Sequence, residues 1–410
     1  MPLVTVVMLQ SLPGGRRTRR EDAGTMIQVS GKLWNWASEI DEGTLIQAGK
    51  MSRLPVVTGH VALMPDAHVG IGAAVGSVIP TENAVIPSAV GVDIGCGMIA
   101  VETDLSAGQL PDNLGPFLSR VERAVPAGVG QGHASVSKSA QSWMAKNAGR
   151  VELSPQQQRK AASQFGSLGS GNHFFEICLD ERDVVWIVLH SGSRGIGNEL
   201  AQGHIKLART RAKEQALKLE DPDLAYFMQG TPEFGAYIRD MLWAQDYAMA
   251  NRSAMLDAAL VAFFSFVGAG KETNRINCHH NFTQRETHDG KSLWITRKGA
   301  IQAATGDRGV IPGSMGTRSY IMRGKGNALS YNSCSHGAGR RYSRSKAKTQ
   351  FTVDDLAMQM KGKTWLSNRA AALLDEIPTA YKPIDQVMAD QKDLVEIEHT
   401  LSQVLNYKGT

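Results

Sequence analysis

Five residues of the kinds that bind metals, Asp93, Cys96, His173, His190 and His280, are scattered from position 93 to position 280, each in or beside a glycine turn or a strand-like run. If they are to meet, both halves of the chain must fold around one centre. Short β-branched runs broken by Gly and Pro fill 56–103, and the apolar spacing of Leu114, Phe117, Leu118, Val121 and Ala124 predicts a helix. The Gly/Ser/Gln-rich stretch up to Lys160 reads as loop. Two strands then flank the charged turn Glu181-Arg182-Asp183. The second, Val184 to Leu189, is apolar on both faces and should be a buried central strand that delivers His190. Residues 195–267 read as mostly helical and 276–336 as strands and turns, with Arg297-Lys298-Gly299 as a hairpin. Residues 353 to about 405 read as two helices split near Pro378 and Pro383. The polar motifs fall between strands from both halves, so one integrated α+β unit is expected.

At 410 residues with 42% hydrophobic content, length alone would allow two or three domains. The four cysteines are far apart, which points to reduced, cytosolic thiols rather than a disulfide framework. The longest uncharged apolar stretch, 258–270, is too short for a membrane span and reads as a buried helix. Residues 1–25 are expected to be a loosely specified extension, with Met26 a second candidate start. Its arginines at 16, 17, 19 and 20 read as a solvated arm, and the net charge of +5 permits a polyanionic partner.

Six short segments carry chemistry. In GVDIGCG, Asp93 and Cys96 put a carboxylate and a thiol on one tight turn, half of a metal site. In GSGNHFFE, strand alternation would send His173 one way and Asn172, Phe174 and Glu176 the other. In HSGSRG, a histidine at a strand end precedes a turn whose N–H groups and Arg194 suit an anion. In NCHHN, neighbouring histidines point to opposite faces, so at most one should be a ligand. One carboxylate, one thiolate and three imidazoles suffice for two cations if the thiolate bridges them, and paired cations suit phosphoryl transfer. The glycine-rich PGSMG and SHGAGR match no Walker or dinucleotide fingerprint. His336, opened by glycines and followed by Arg340, Arg341, Arg344, Lys346 and Lys348, suits nucleophilic attack on a phosphoryl group.

Together MPDAHVG, GVDIGCGM, GSLGSGNHFFEICLD, HSGSRGIGN, NCHHNF, PGSMGTRSY, CSHGAGR and the final YKG closely resemble the RtcB family of RNA-splicing ligases, in order from about Met26 to Gly409. The resemblance implies one α+β domain over 26–410, of mixed β-sheets with surrounding helices and a deep cleft for two metals and a nucleotide. It implies a GTP- and Mn²⁺-dependent ligase that joins RNA 3′-phosphate or 2′,3′-cyclic phosphate ends to 5′-hydroxyl ends. The route would be a guanylated histidine and then an RNA-(3′)pp(5′)G intermediate. His336 would be the guanylated nucleophile. Asp93, Cys96 and His173 would hold one Mn²⁺; Cys96, His190 and His280 the other. GMP would lie against Asn172, His173, Phe174, Phe175 and Glu176, against His280 and Asn281, and against Pro312, Gly313, Ser314, Met315 and Ser319. His336, Gly337, Ala338, Gly339 and Lys408 would complete its contacts, with Tyr381 against the guanine. Arg194 and the basic run would meet RNA phosphates, and Asp66 and His68 would support the site or bind an RNA end.

A cytoplasmic monomer acting in tRNA splicing or RNA repair, without a membrane partner, is expected, and the need for an activating protein stays open. The competing class is a dinuclear-metal phosphohydrolase acting on RNA 2′,3′-cyclic phosphates, which has no use for a purine pocket ending in Lys408. A non-catalytic RNA-end binder would not need a nucleophile.

Overall fold

The computed structural model describes residues 18, 19 and 26–409, so the extension 1–25 lies outside the described residues apart from Thr18–Arg19, which pair with Glu39–Ile40. Two sheets carry the fold. The larger has seven antiparallel strands in the order Glu272–His279, Gly97–Ser106, Val184–Ser191, Phe174–Leu179, Val395–Lys408, Ser319–Gly324 and Arg308–Pro312. The second has six strands, from Asn281–His288 through Lys291–Lys298, Val75–Thr81, Val61–His68 and Leu33–Asn35 to Ile27–Ser30.

Val184–Ser191 is the buried central strand that its doubly apolar pattern predicts. Val185, Ile187 and Leu189 join one core cluster with Phe117 and Phe263, while Trp186 and Val188 join another with Phe174 and Leu401. Trp186 is fully buried and its indole N–H donates to Asp180 Oδ2 at 3.0 Å. We expect Trp186→Ala to cost about 3–5 kcal/mol, read as a shift in the denaturant midpoint; a loss below about 1 kcal/mol would show that the sheet does not depend on this contact.

The helix Pro232–Val267 starts where Thr231 Oγ1 accepts the Phe234 N–H and stops at Gly268, whose φ of 83° suits glycine. By length and composition it could cross a membrane. Here its inner residues, among them Met255, Ala259 and Phe263, cover the central strands. The apolar stretch from 258 is thus the end of a longer helix, with its outer side open at Val261.

Three local expectations are corrected. The Ser/Gln-rich stretch forms helices Lys138–Lys146 and Pro155–Gln164, because Ser137 and Ser154 are N-caps, the latter in a capping box with Gln157. The hairpin is at Asp289-Gly290, both at positive φ, and not at 297–299. Beyond Gly299 the chain leaves its sheet, and Ala300–Gln302 pair with Ser333–Ser335. The third is the C-terminal segment, a 14-residue strand and not a helix. A bulge between Gln403 and Leu405 inserts Val404 as an extra residue, so Leu401 is buried on one face of the sheet and Leu405 on the other, and no single alternation runs along the strand.

Candidate functional site

Register brings the site residues to one end of the larger sheet. Gly97 stands opposite both Ser191 and His279, His190 opposite Phe174, and Phe174 opposite Lys408. Cys96 and His173 immediately precede their strands, and His280 is the single residue between the strands ending at His279 and starting at Asn281, where the chain passes from one sheet to the other. The ligand turn is tight: Cys96 N–H donates to Asp93 O at 3.1 Å and Gly95 N–H to Asn281 O at 2.8 Å. A Cβ on Gly95 would come within 2.8 Å of the Gln245 backbone, and one on Gly192 within 2.1 Å of the Asp93 carboxylate.

Cys96 Sγ lies 3.3 Å from His173 Nε2 and 3.2 Å from His190 Nε2. His173 Nε2 is 3.0 Å from Asp93 Oδ2, and His190 Nε2 is 3.2 Å from His280 Nε2. Sulfur is therefore shared between an Asp/His side and a His/His side. His173 Nδ1 donates to Leu168 O and His190 Nδ1 to Asn172 O, which fixes each ring and turns Nε2 toward the cluster. Burial, with the neighbouring histidines, holds His190 and His280 far below the usual imidazole range, so both are neutral near pH 7. Burial would raise the Asp93 carboxyl, but His173 and Cys96 bring it down to about 2. Burial and Asp93 push the Cys96 thiol well up. Imidazoles and a carboxylate crowded onto one sulfur are a donor set that a divalent cation would relieve, so the residues fit a metal centre.

His336 stands beside it, its ring centroid 4.8 Å from that of His280. Asp66, fully buried, accepts the backbone N–H groups of His336 and Gly337 on Oδ2 at 3.1 Å each. The same oxygen is 2.6 Å from His336 Nδ1, close in distance but not aligned as a hydrogen bond. Burial would raise the Asp66 carboxyl, and His336 more than offsets this, so it is ionised. Asp66 lies on the Nδ1 side of the ring, away from Nε2.

A cavity of about 770 Å³ joins these groups. Of the expected residues, Asp93, Cys96, Asn172, Phe174, His190, His280, Asn281, Pro312 to Met315, His336 to Gly339, Tyr381 and Lys408 line it. His173 stands behind, in the metal cluster. Phe175 points into the core, as alternation requires, and Ser319 is buried with no hydrogen-bond partner for Oγ among the described residues. Glu176 is buried too; burial raises its carboxyl to about 8 although Lys408 and Asn406 oppose this, and its Oε1 accepts the Asn406 amide at 2.7 Å. Asn281 is occupied locally, accepting Gly299 N–H at 2.8 Å and donating to Asp93 O at 3.2 Å. His68 lines the cavity, and of the basic run Arg340 and Arg344 do so, while Arg341 pairs with Glu39. Arg194 is a half-buried residue at the turn, donating from Nε to Ser167 Oγ.

Sequence reasoning missed three contributors. Arg252, fully buried, donates to Gly95 O, Ser191 O and Asn277 Oδ1, clamping three of the four segments that carry the candidate ligands; Asn251 beside it holds Gly166 and Gly192. Nothing local set this pair apart, since the same helix also carries Arg239, Asp240, Asp246 and Asp257. Lys298 lines the cavity with its ammonium on Ile71 O and Ser88 O, and burial lowers it to about 8. Glu376, also lining the cavity, had no local signal.

The family model described as tRNA-splicing ligase RtcB matches residues 47–409. The chain is 45% identical over 401 residues to the RNA-splicing ligase RtcB of Escherichia coli K12, covering 92% of this chain and 97% of that protein. It is 30% identical to the tRNA-splicing ligase RtcB of Nanoarchaeum equitans over 85% of this chain and 87% of that protein. To the RNA-splicing ligase RtcB of Mycobacterium tuberculosis it is 27% identical, with 84% and 95% covered.

Proposed function

We propose, from the premise that this chain belongs to the tRNA-splicing ligase RtcB family and is an RNA ligase, that it joins RNA 3′-phosphate or 2′,3′-cyclic phosphate ends to 5′-hydroxyl ends with GTP as co-substrate and two Mn²⁺ ions. The observation that carries the reading is His336 held by Asp66 next to a buried Cys/His/Asp cluster in one cavity.

Asp93, Cys96 and His173 would hold one ion and Cys96, His190 and His280 the other. Bound there, the cations supply positive charge to offset the negative charge that builds on phosphoryl oxygens. His336 Nε2 attacks the α-phosphorus of GTP: an N–P bond forms and the P–O bond to pyrophosphate breaks. The ionised Asp66 steadies the ring as it becomes positive. A 2′,3′-cyclic end is first opened by water to the 3′-phosphate; GMP passes to the RNA 3′-phosphate, which frees the imidazole, and the 5′-hydroxyl, losing its proton to solvent, then displaces GMP to leave a phosphodiester. Lys408 and Tyr381 hold the guanine end, and Arg340 and Arg344 meet RNA phosphates. By raw affinity Zn²⁺ would displace Mn²⁺ from such ligands, so the choice rests on geometry and supply.

The test is RNA pairs with 3′-phosphate or 2′,3′-cyclic phosphate ends and 5′-hydroxyl ends, incubated with labelled GTP across Mn²⁺, Zn²⁺, Co²⁺ and Mg²⁺. Joined strands with acid-labile label on the protein are expected; opened 2′,3′-cyclic ends without joining would make it a phosphohydrolase.

Metal loading has its own pH signature. The Cys96 thiol titrates well above neutrality in the metal-free chain, so binding must displace its proton and affinity must rise with pH. About one proton released per chain is expected from Cys96 near pH 7, read from binding enthalpies in buffers of different ionisation enthalpy. Enthalpies independent of the buffer would remove the thiolate from the ligand set.

A further inference from the structure

Lys408 and the arginines after His336 are fifty or more residues apart in sequence, yet they share one counter-ion. Glu376 is 3% exposed and sits on a short turn, Leu374–Glu376, in the cavity wall. Its Oε2 accepts Lys408 Nζ at 2.7 Å and the Tyr381 hydroxyl at 2.8 Å. Its Oε1 accepts Arg344 Nη1 at 2.5 Å and lies 3.4 Å from Arg340 Nη1. The Arg340 guanidinium also stacks over the Tyr381 ring, 4.8 Å from its centroid, and donates to the Tyr381 hydroxyl at 2.8 Å. Burial alone would raise the Glu376 carboxyl; Lys408, Arg344 and Arg340 outweigh it and keep it ionised. Asp375 next to it takes a second bond from Arg344, at 2.7 Å.

Two groups on the nucleotide side and two on the RNA side therefore converge on one buried carboxylate. Long cationic side chains lose much rotamer freedom when ordered, and a fixed anion meets that cost before a ligand arrives. Without it, three cations in one wall would repel one another and disperse into the cavity. We propose that Glu376 is a positioning residue that holds Lys408 and Tyr381 for the nucleotide and Arg340 and Arg344 for RNA phosphate in a single geometry. The inference rests on the reading of this cavity as the nucleotide and RNA-end site.

The experiment is a double-mutant cycle. GMP binding by calorimetry is compared for the parent chain, Glu376→Gln, Lys408→Met and the double variant, with RNA KM and kcat for joining measured alongside. Glu376→Gln keeps size and removes charge. It should weaken GMP about tenfold and raise the RNA KM, with kcat changed less than KM. The double variant should bind within about twofold of Lys408→Met alone, because Glu376 acts through Lys408. Independent, multiplying losses, or a Glu376→Gln chain that binds GMP like the parent, would overturn the proposal. Should Glu376→Gln lower the melting temperature enough to obscure binding, Glu376→Asp keeps the charge with a shorter reach and should recover part of the GMP affinity; no recovery would make the role merely structural. A parent chain that binds no GMP would sink the functional reading itself, whereas multiplying losses in a parent that joins RNA would sink this inference alone.

Discussion

Replacing His336 with alanine should abolish covalent labelling from GTP and lower strand joining by at least about 10⁴-fold, since loss of a nucleophile removes the whole route and not one increment of it. Metal content should be unchanged, because none of the cluster distances involves this ring: the nearest ligand, His280, touches it only ring to ring. A sharper discrimination comes from supplying RNA already activated as the (3′)pp(5′)G species. The variant should seal that substrate within about tenfold of the parent rate, since the nucleophile's step is then past. Labelling of the alanine variant at the parent's level would place the nucleophile elsewhere.

The second large effect is expected at Cys96. Its sulfur touches both His173 and His190, so Cys96→Ala should disturb both halves of the centre. Affinity for both ions should fall by at least about 100-fold, with guanylation lost, since changes in outer partners alone typically cost 10–100-fold. The measurement is metal per chain after dialysis against a fixed free-metal buffer. Two ions retained in the variant would rule out a sulfur bridge. Cys334→Ala is the internal control: that thiol is also fully buried and pushed well up by burial, but it lies in the apolar cluster around Ala300 and Ile301 and should leave metal content unaltered.

Much of this centre was legible because its residues are rare types in exposed chemical settings. A cysteine between glycines and a histidine at the end of a doubly apolar strand each declare themselves in a few residues. The strand Val184–Ser191 was readable for the same reason, as burial on both faces leaves no polar alternation. The C-terminal strand was not, because its bulge switches the face that alternate residues bury, with Leu401 on one side of the sheet and Leu405 on the other. Strand alternation alone does not choose between His279 and His280, since that depends on where the chain leaves one sheet for the other; the family resemblance named His280. His279 turns out to donate from Nδ1 to Gly95 O at 2.8 Å, a support to the turn, while His280 faces the cluster. Glu376 was illegible for a different reason. An acidic residue in Leu-Asp-Glu-Ile is ordinary until Lys408 and Arg344 arrive from elsewhere.

The placement of Val395–Lys408 also sets an order of events during synthesis. Among the described strands it is the last to leave the ribosome, yet its slot is between Phe174–Leu179 and Ser319–Gly324. Until it emerges, the nascent sheet is in two pieces, each with an open edge, although His336 and every proposed metal ligand have already been made. Pairing across so many intervening residues is slow to close and leaves those edges available to other chains. A nascent chain halted before residue 395 would therefore carry the full set of reactive side chains on an unfinished scaffold, so competence arrives only with the final strand.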